Sequence, residues 1–124
     1  MNQIISTPAA PAAIGPYSQA IQAGGLLFSV RHHAHRSCYR RIGRAADRRT
    51  GRAGDEEHRR CAAGAGCTFE DVVKTTCFLA DMADFAAFNE IYARYFTGKP
   101  ARSCVAVKSL PKGALVEVEV IASH

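Results

Sequence analysis

Pro100-Ala101-Arg102-Ser103-Cys104-Val105, with the alternating run Leu115-Val116-Glu117-Val118-Glu119-Val120 that follows it, carries the most structural information in the chain. Side chains of a strand point alternately to its two faces. Arg102 and Cys104 therefore share one face of the first run, and Ala101, Ser103 and Val105 share the other. In the second run Glu117 and Glu119 stand opposite a face of valines. As neighbouring strands, the two runs predict one surface holding a guanidinium, a thiol and a carboxylate. That set suits a small carboxylate-bearing substrate, with a planar fork for the anion and an acid/base group beside it. The same alternation also describes the solvated face of a half-buried sheet, and periodicity alone leaves both readings open.

Outward from these runs, the elements follow from spacing. Tyr17 to Ala23 and Leu26 to Val30 read as a hairpin joined by Gly24-Gly25, because two glycines accept the positive φ of a tight primed turn. Residues 1–15 read as an extended Pro/Ala-rich lead-in. Val72 to Leu79 reads as a strand, and Asp81 or Asp84 is placed to cap the helix after it. In that helix Phe85, Phe88, Tyr92 and Tyr95/Phe96 form one apolar stripe. Thr97-Gly98-Lys99-Pro100 ends it. Ala101 to Val107 and Leu115 to Ala122 are the last strands.

A chain of 124 residues supports one core, so residues 1–124 are read as a single domain. No run approaches the roughly 18 apolar residues of a membrane span, and the start, Met1 to Pro8, lacks the pattern of a signal peptide. Five cysteines without paired spacing argue against a disulfide framework and point to a reducing cytoplasm. The net charge of +5 is concentrated: residues 29–66 hold ten Arg against four acids, leaving −1 for the rest of the chain. A basic nucleic-acid-binding arm is one reading of that segment. A metal site from His32, His33, His35 and Cys38 is a second, although their spacing matches no closed four-ligand pattern. A third is a segment read out of frame.

Ala13-Ile14-Gly15-Pro16-Tyr17-Ser18-Gln19-Ala20, Asp71-Val72-Val73-Lys74-Thr75-Thr76, the helix through Asn89, Pro100 to Val105 and Leu110-Pro111-Lys112 together resemble the Rid (YjgF-type) family of 2-iminobutanoate/2-iminopropanoate deaminases. Members of that family also carry the labels endoribonuclease and translation inhibitor. The resemblance covers residues 1–28 and 67–124 and stops in between. Back-translating Ser29 to Gly43 with permitted codons and dropping one base yields PSGTMPIDPATGEL, similar to the family's second strand and following turn. The same shift over Gly54 to Ala62 yields VMKNIDAVL, whose apolar residues recur at helical spacing. With that helix restored the order is ββαβαββ. The expected fold class is α+β: a largely antiparallel sheet with two helices packed on one face.

The resemblance implies a chorismate-mutase-like homotrimer with sites between subunits. It further implies a cofactor-independent enzyme that hydrolyses reactive 2-imino or enamino acids to 2-keto acids and ammonia, with no metal. Arg102 would bind the substrate carboxylate. Glu117 would activate water, and Tyr17 would close the pocket and donate its hydroxyl. Cys104 and Asn89 would line the substrate site, Cys104 through packing or its backbone rather than as a nucleophile. The alternatives are an RNA-directed endoribonuclease or translation inhibitor, and a non-catalytic interaction module. Outside residues 29–66 the charge of −1 and the lack of a basic patch disfavour nucleic acid.

The out-of-frame reading has a direct check. The intact mass of protein expressed from the native gene is expected to differ from the 13.4 kDa of the printed chain. A matching mass, with an ordered helix built from the printed residues, overturns that reading.

Overall fold

Val116–Ser123 alternates small apolar with polar residues over its first half, as a central strand covered on one face requires. In the computed structural model, which describes residues 2–6, 13, 15–32 and 67–123, this segment is β6 and runs through the middle of a six-stranded sheet. The other strands are β1 (Gln3–Ile5), β2 (Ala20–Ala23), β3 (Leu26–His32), β4 (Val72–Leu79) and β5 (Ala101–Ala106). Their spatial order is β1-β2-β3-β6-β4-β5. Neighbours are antiparallel except β4 and β5, which are parallel. A parallel pair needs a crossover, and the helix α1 (Phe85–Tyr95) supplies it. The sheet is thus mixed, largely antiparallel as expected, with one parallel pair at its β5 end. The other predicted helix falls in residues 33–66, outside the described residues, as do the readings made of His33, His35 and Cys38.

Local chemistry explains most boundaries. Gly24 and Gly25 take φ of 57° and 76°, giving the tight turn between β2 and β3. Tyr17 lies ahead of this hairpin rather than within it, because β2 begins at Ala20. Within the expected lead-in, Gln3–Ile5 pairs with β2 as an edge strand, a pairing too short to show as periodicity. Asp81 caps a single 3-10 turn, its carboxylate accepting from the Ala83 N–H at 2.9 Å, and Asp84 follows at the helix N-cap. At the other end Lys99, not Gly98, enters the left-handed region, with φ 51°, and its N–H donates to the Phe96 carbonyl at 3.2 Å. Pro100 then prevents any return to helix.

The register decides what each face carries. Thr75, Cys77 and Leu79 of β4 pair with Val120, Val118 and Val116 of β6, and with Arg102, Cys104 and Ala106 of β5. All of these point to the face that α1 covers. Phe88 packs there with Cys77, Leu79, Val116 and Val118. A second cluster joins Ala20, Leu27, Cys67, Val72, Phe96 and Ala122. Tyr92 touches both clusters. The opposite face holds Ile21, Phe28, Phe78, Glu117, Glu119 and Ile121, and no described element covers it. Val73 is the extra residue of a bulge in β4 and is exposed.

No described helix is long and apolar enough to cross a membrane. Leu79 is fully buried beneath α1, so truncating it leaves a cavity. Leu79→Ala is expected to lower unfolding free energy by about 2–5 kcal/mol in urea titration, and Leu79→Met by much less.

Candidate active site

Strand β5 runs parallel and in register with β4, which sets Arg102 beside Thr75 and Cys104 beside Cys77. Helix α1 crosses above them. Phe85, Asn89 and Tyr92, spaced four and three residues apart, form one stripe of that helix. The Arg102 Nη1 donates to Asn89 Oδ1 at 2.6 Å. The guanidinium carbon lies 4.6 Å from the centroid of the Tyr92 ring and 5.5 Å from that of Phe85. A cation within about 6 Å of an aromatic face is attracted by the ring quadrupole.

This contact continues into the core. The hydroxyls of Tyr92 and Thr75 are hydrogen-bonded at 2.7 Å, and Thr75 is wholly buried. The Tyr92 ring stacks on Phe96 at 4.4 Å between centroids, and Phe96 meets the edge of Phe69 at 5.2 Å. Burial raises the Tyr92 hydroxyl pKa, against the lowering effect of the Thr75 hydrogen bond, so the ring stays neutral. The side chain of Arg102 is exposed while its supports are not. One N–H of the fork engages Asn89, and a guanidinium carries five.

The cysteines are not activated. Burial pushes the Cys77 thiol up to about 11, opposed by its hydrogen bond to Thr75. Burial also raises Cys104, although the Arg102 charge and a hydrogen bond with Cys77 oppose the rise. Both are protonated at neutral pH, and neither has the electropositive, exposed setting of a nucleophile.

The structure brings Arg102, Asn89 and Cys104 together. Glu117 does not join them, and the expectation of a common surface is corrected here. Glu117 pairs with Phe78 of β4, one residue out of step with the Cys77–Val118 and Leu79–Val116 pairs, so it points to the uncovered face. Arg102 and Glu117 of one chain therefore lie on opposite sides of the sheet. Tyr17, 41% exposed, sits in the segment leading into β2, which is four strands from β5. At about 4.8 Å per strand that separation is roughly 19 Å. Tyr92, Phe85 and Thr75 were legible only as core residues. The i, i+4, i+7 spacing of Phe85, Asn89 and Tyr92 along the helix was the available signal for the two aromatics. Among the described residues no group of three His, Cys, Asp or Glu is placed to hold a metal.

The raised thiols have a consequence for stability. Cys77 has a folded pKa above its ordinary 9.0, so the unfolded chain loses that proton first as pH rises. The contribution is complete below pH 9 and is lost as pH climbs through about 11. Unfolding free energy is expected to fall over that window, and the fall should be shallower in Cys77→Val.

A family description, endoribonuclease L-PSP, matches residues 7–124, and so extends across residues 29–66, where the motif reading found no likeness. The chain is 44% identical over 123 residues to a RutC family protein of Synechocystis sp., covering 97% of this chain and 95% of that one. It is 40% identical over 132 residues to the 2-iminobutanoate/2-iminopropanoate deaminase of Mus musculus, covering 98% and 91%. Among solved structures, E. coli TdcF with bound serine superposes with a TM-score of 0.78 at 31% identity, over 98% of each chain.

Proposed function

The chain belongs to the endoribonuclease L-PSP family, the Rid family of the sequence reading, and from that premise we propose that it hydrolyses reactive 2-imino acids to 2-keto acids and ammonia. The observation that carries the proposal is the Arg102 guanidinium, exposed at its fork and braced by Asn89, Tyr92 and Phe85. A guanidinium held in plane binds a carboxylate bidentately. The reaction takes one water: it adds to the carbon of the protonated C=N bond, the resulting carbinolamine loses ammonia, and the carbonyl remains. A protonated imine is already electrophilic, so the protein needs only to orient it and to accept a proton from the water. Glu117 is the proposed base, Tyr17 the residue that closes the pocket, and Cys104 part of its wall.

These groups cannot converge within one chain, so the proposed site is completed by a second copy. The uncovered sheet face supports this. Phe28 is 43% exposed and Ile4 67%, beside Ile21, Phe78 and Ile121 on the same face. An apolar sheet face of this kind is stabilised by burial against another subunit. We assign the assembly as a homotrimer with its sites between subunits. The three described cysteines are free thiols, which supports a cytoplasmic setting. The endoribonuclease description of the family keeps an RNA-directed role as the second reading.

The test supplies a threonine dehydratase with threonine and follows 2-ketobutyrate release with and without this protein. Acceleration is expected, reduced about 10- to 100-fold in kcat/KM by Arg102→Ala, the range for losing charged hydrogen bonds. No effect of Arg102→Ala, or a stable monomer by light scattering at micromolar concentration, rejects the inter-subunit site. RNA cleavage insensitive to Arg102→Ala supports the second reading.

A further inference from the structure

A carboxylate-binding arginine on an exposed edge strand has a problem of its own. Its side chain has four rotatable bonds, and each must be frozen before two N–H groups can meet two oxygens in one plane. Packing on β5 does not freeze it, because Arg102 and both its strand neighbours are exposed. The restraint comes from above, from α1.

We infer that Tyr92 is a positioning residue for Arg102, holding the guanidinium in the plane required for bidentate capture of a substrate carboxylate. This inference rests on the proposed imine hydrolysis and adds to it a residue outside the motif that suggested it. Three observations converge on Tyr92. Its ring is the nearer of the two aromatic faces to the guanidinium, 4.6 Å against 5.5 Å for Phe85. Its hydroxyl is tied to the buried Thr75 at 2.7 Å, so the ring can neither withdraw along its long axis nor swing its tip away without breaking a buried hydrogen bond. Its far side stacks on Phe96 at 4.4 Å, closing off displacement in that direction. Thr75 is also the in-register neighbour of Arg102 on β4, so one residue anchors the ring beside the strand position it serves.

Asn89 complements this arrangement without duplicating it. Its Oδ1 accepts one N–H at 2.6 Å and sets the rotation of the fork within its plane, whereas Tyr92 sets the plane. A hydroxyl directed inward and a ring face directed at a cation divide the two chemical halves of tyrosine between core and site.

The experiment measures kcat and KM for 2-iminobutanoate, generated in place by threonine dehydratase, on the full chain. Tyr92→Leu is expected to raise KM about 3- to 30-fold, the range for a partly desolvated cation–π contact, with kcat changed less than about twofold. Tyr92→Phe and Thr75→Val each remove the tether and keep the ring. Each is expected to raise KM about 2- to 5-fold, and the double variant no further, as coupled residues require. In an Arg102→Lys background, where no planar fork remains to be oriented, Tyr92→Leu is expected to leave KM within about twofold. A purely structural tyrosine would impose the same penalty in both backgrounds, and that result overturns the inference. If Tyr92→Leu fails to fold by thermal melt, the tether pair decides: unchanged KM in both variants overturns it. Loss of activity in Arg102→Ala with normal kinetics in all Tyr92 and Thr75 variants rejects the positioning role and leaves the hydrolase reading standing. Full activity in Arg102→Ala rejects that reading itself.

Discussion

The hydrogen bond between the Tyr92 and Thr75 hydroxyls, 2.7 Å long and sunk between sheet and helix, is the contact on which the rest of the structure depends. A buried hydroxyl without a partner costs free energy that an apolar side chain would not, so the two groups can be buried here only while they find each other. Dispersion and area burial would let a helix slide or roll on a sheet of valines with little change in energy. A directional bond does not. It sets the rotation of α1 over β4, and that rotation carries Phe85 and Asn89 to the same place above β5. The edge-strand arginine then finds an aromatic face and an amide oxygen already in position.

From this contact the molecule divides at the sheet. On the helix side, Cys77, Leu79, Val116, Val118 and Phe88 make a dry layer, with Arg102 and Asn89 at its rim. The low polarity of this layer raises the Cys77 and Cys104 thiols and keeps them from becoming nucleophiles. On the other side Phe28 and Ile4 stay exposed beside Glu117 and Glu119. The proposed hydrolysis draws on Arg102 from the helix side and Glu117 from the open side, which the sheet holds apart within one chain. The proposal thus ties function to assembly through the same alternation that builds the strands.

The likeness to known relatives runs through nearly the whole chain, yet the ten arginines of residues 29–66 sit within it. That segment begins with the end of β3, where the strand positions of Val30 and Arg31 pair with Glu119 and Val118. The described part of β3 thus keeps its place at the centre of the sheet beside β6 despite its unusual residues. Backbone pairing is indifferent to side-chain identity where the ladder alone is at stake.

Much of the fold could be read from local pattern. Gly24-Gly25 demanded a tight turn, the aromatic stripe from Phe85 to Phe96 demanded a helix with one buried side, and the two alternating runs demanded strands. The grouping of Arg102 with Cys104 was also local, because period two fixes parity along a single strand. The three-residue β1 and the left-handed Lys99 were not legible, since neither leaves a periodic trace. The placing of Glu117 was misread for a deeper reason. Alternation says which residues of one strand share a face, and says nothing about which face of the next strand matches it. That choice belongs to register, a non-local property. Cys77 lies level with Cys104 on one side and Val118 on the other, and this single row assigns the arginine to the helix and the glutamate to the open face.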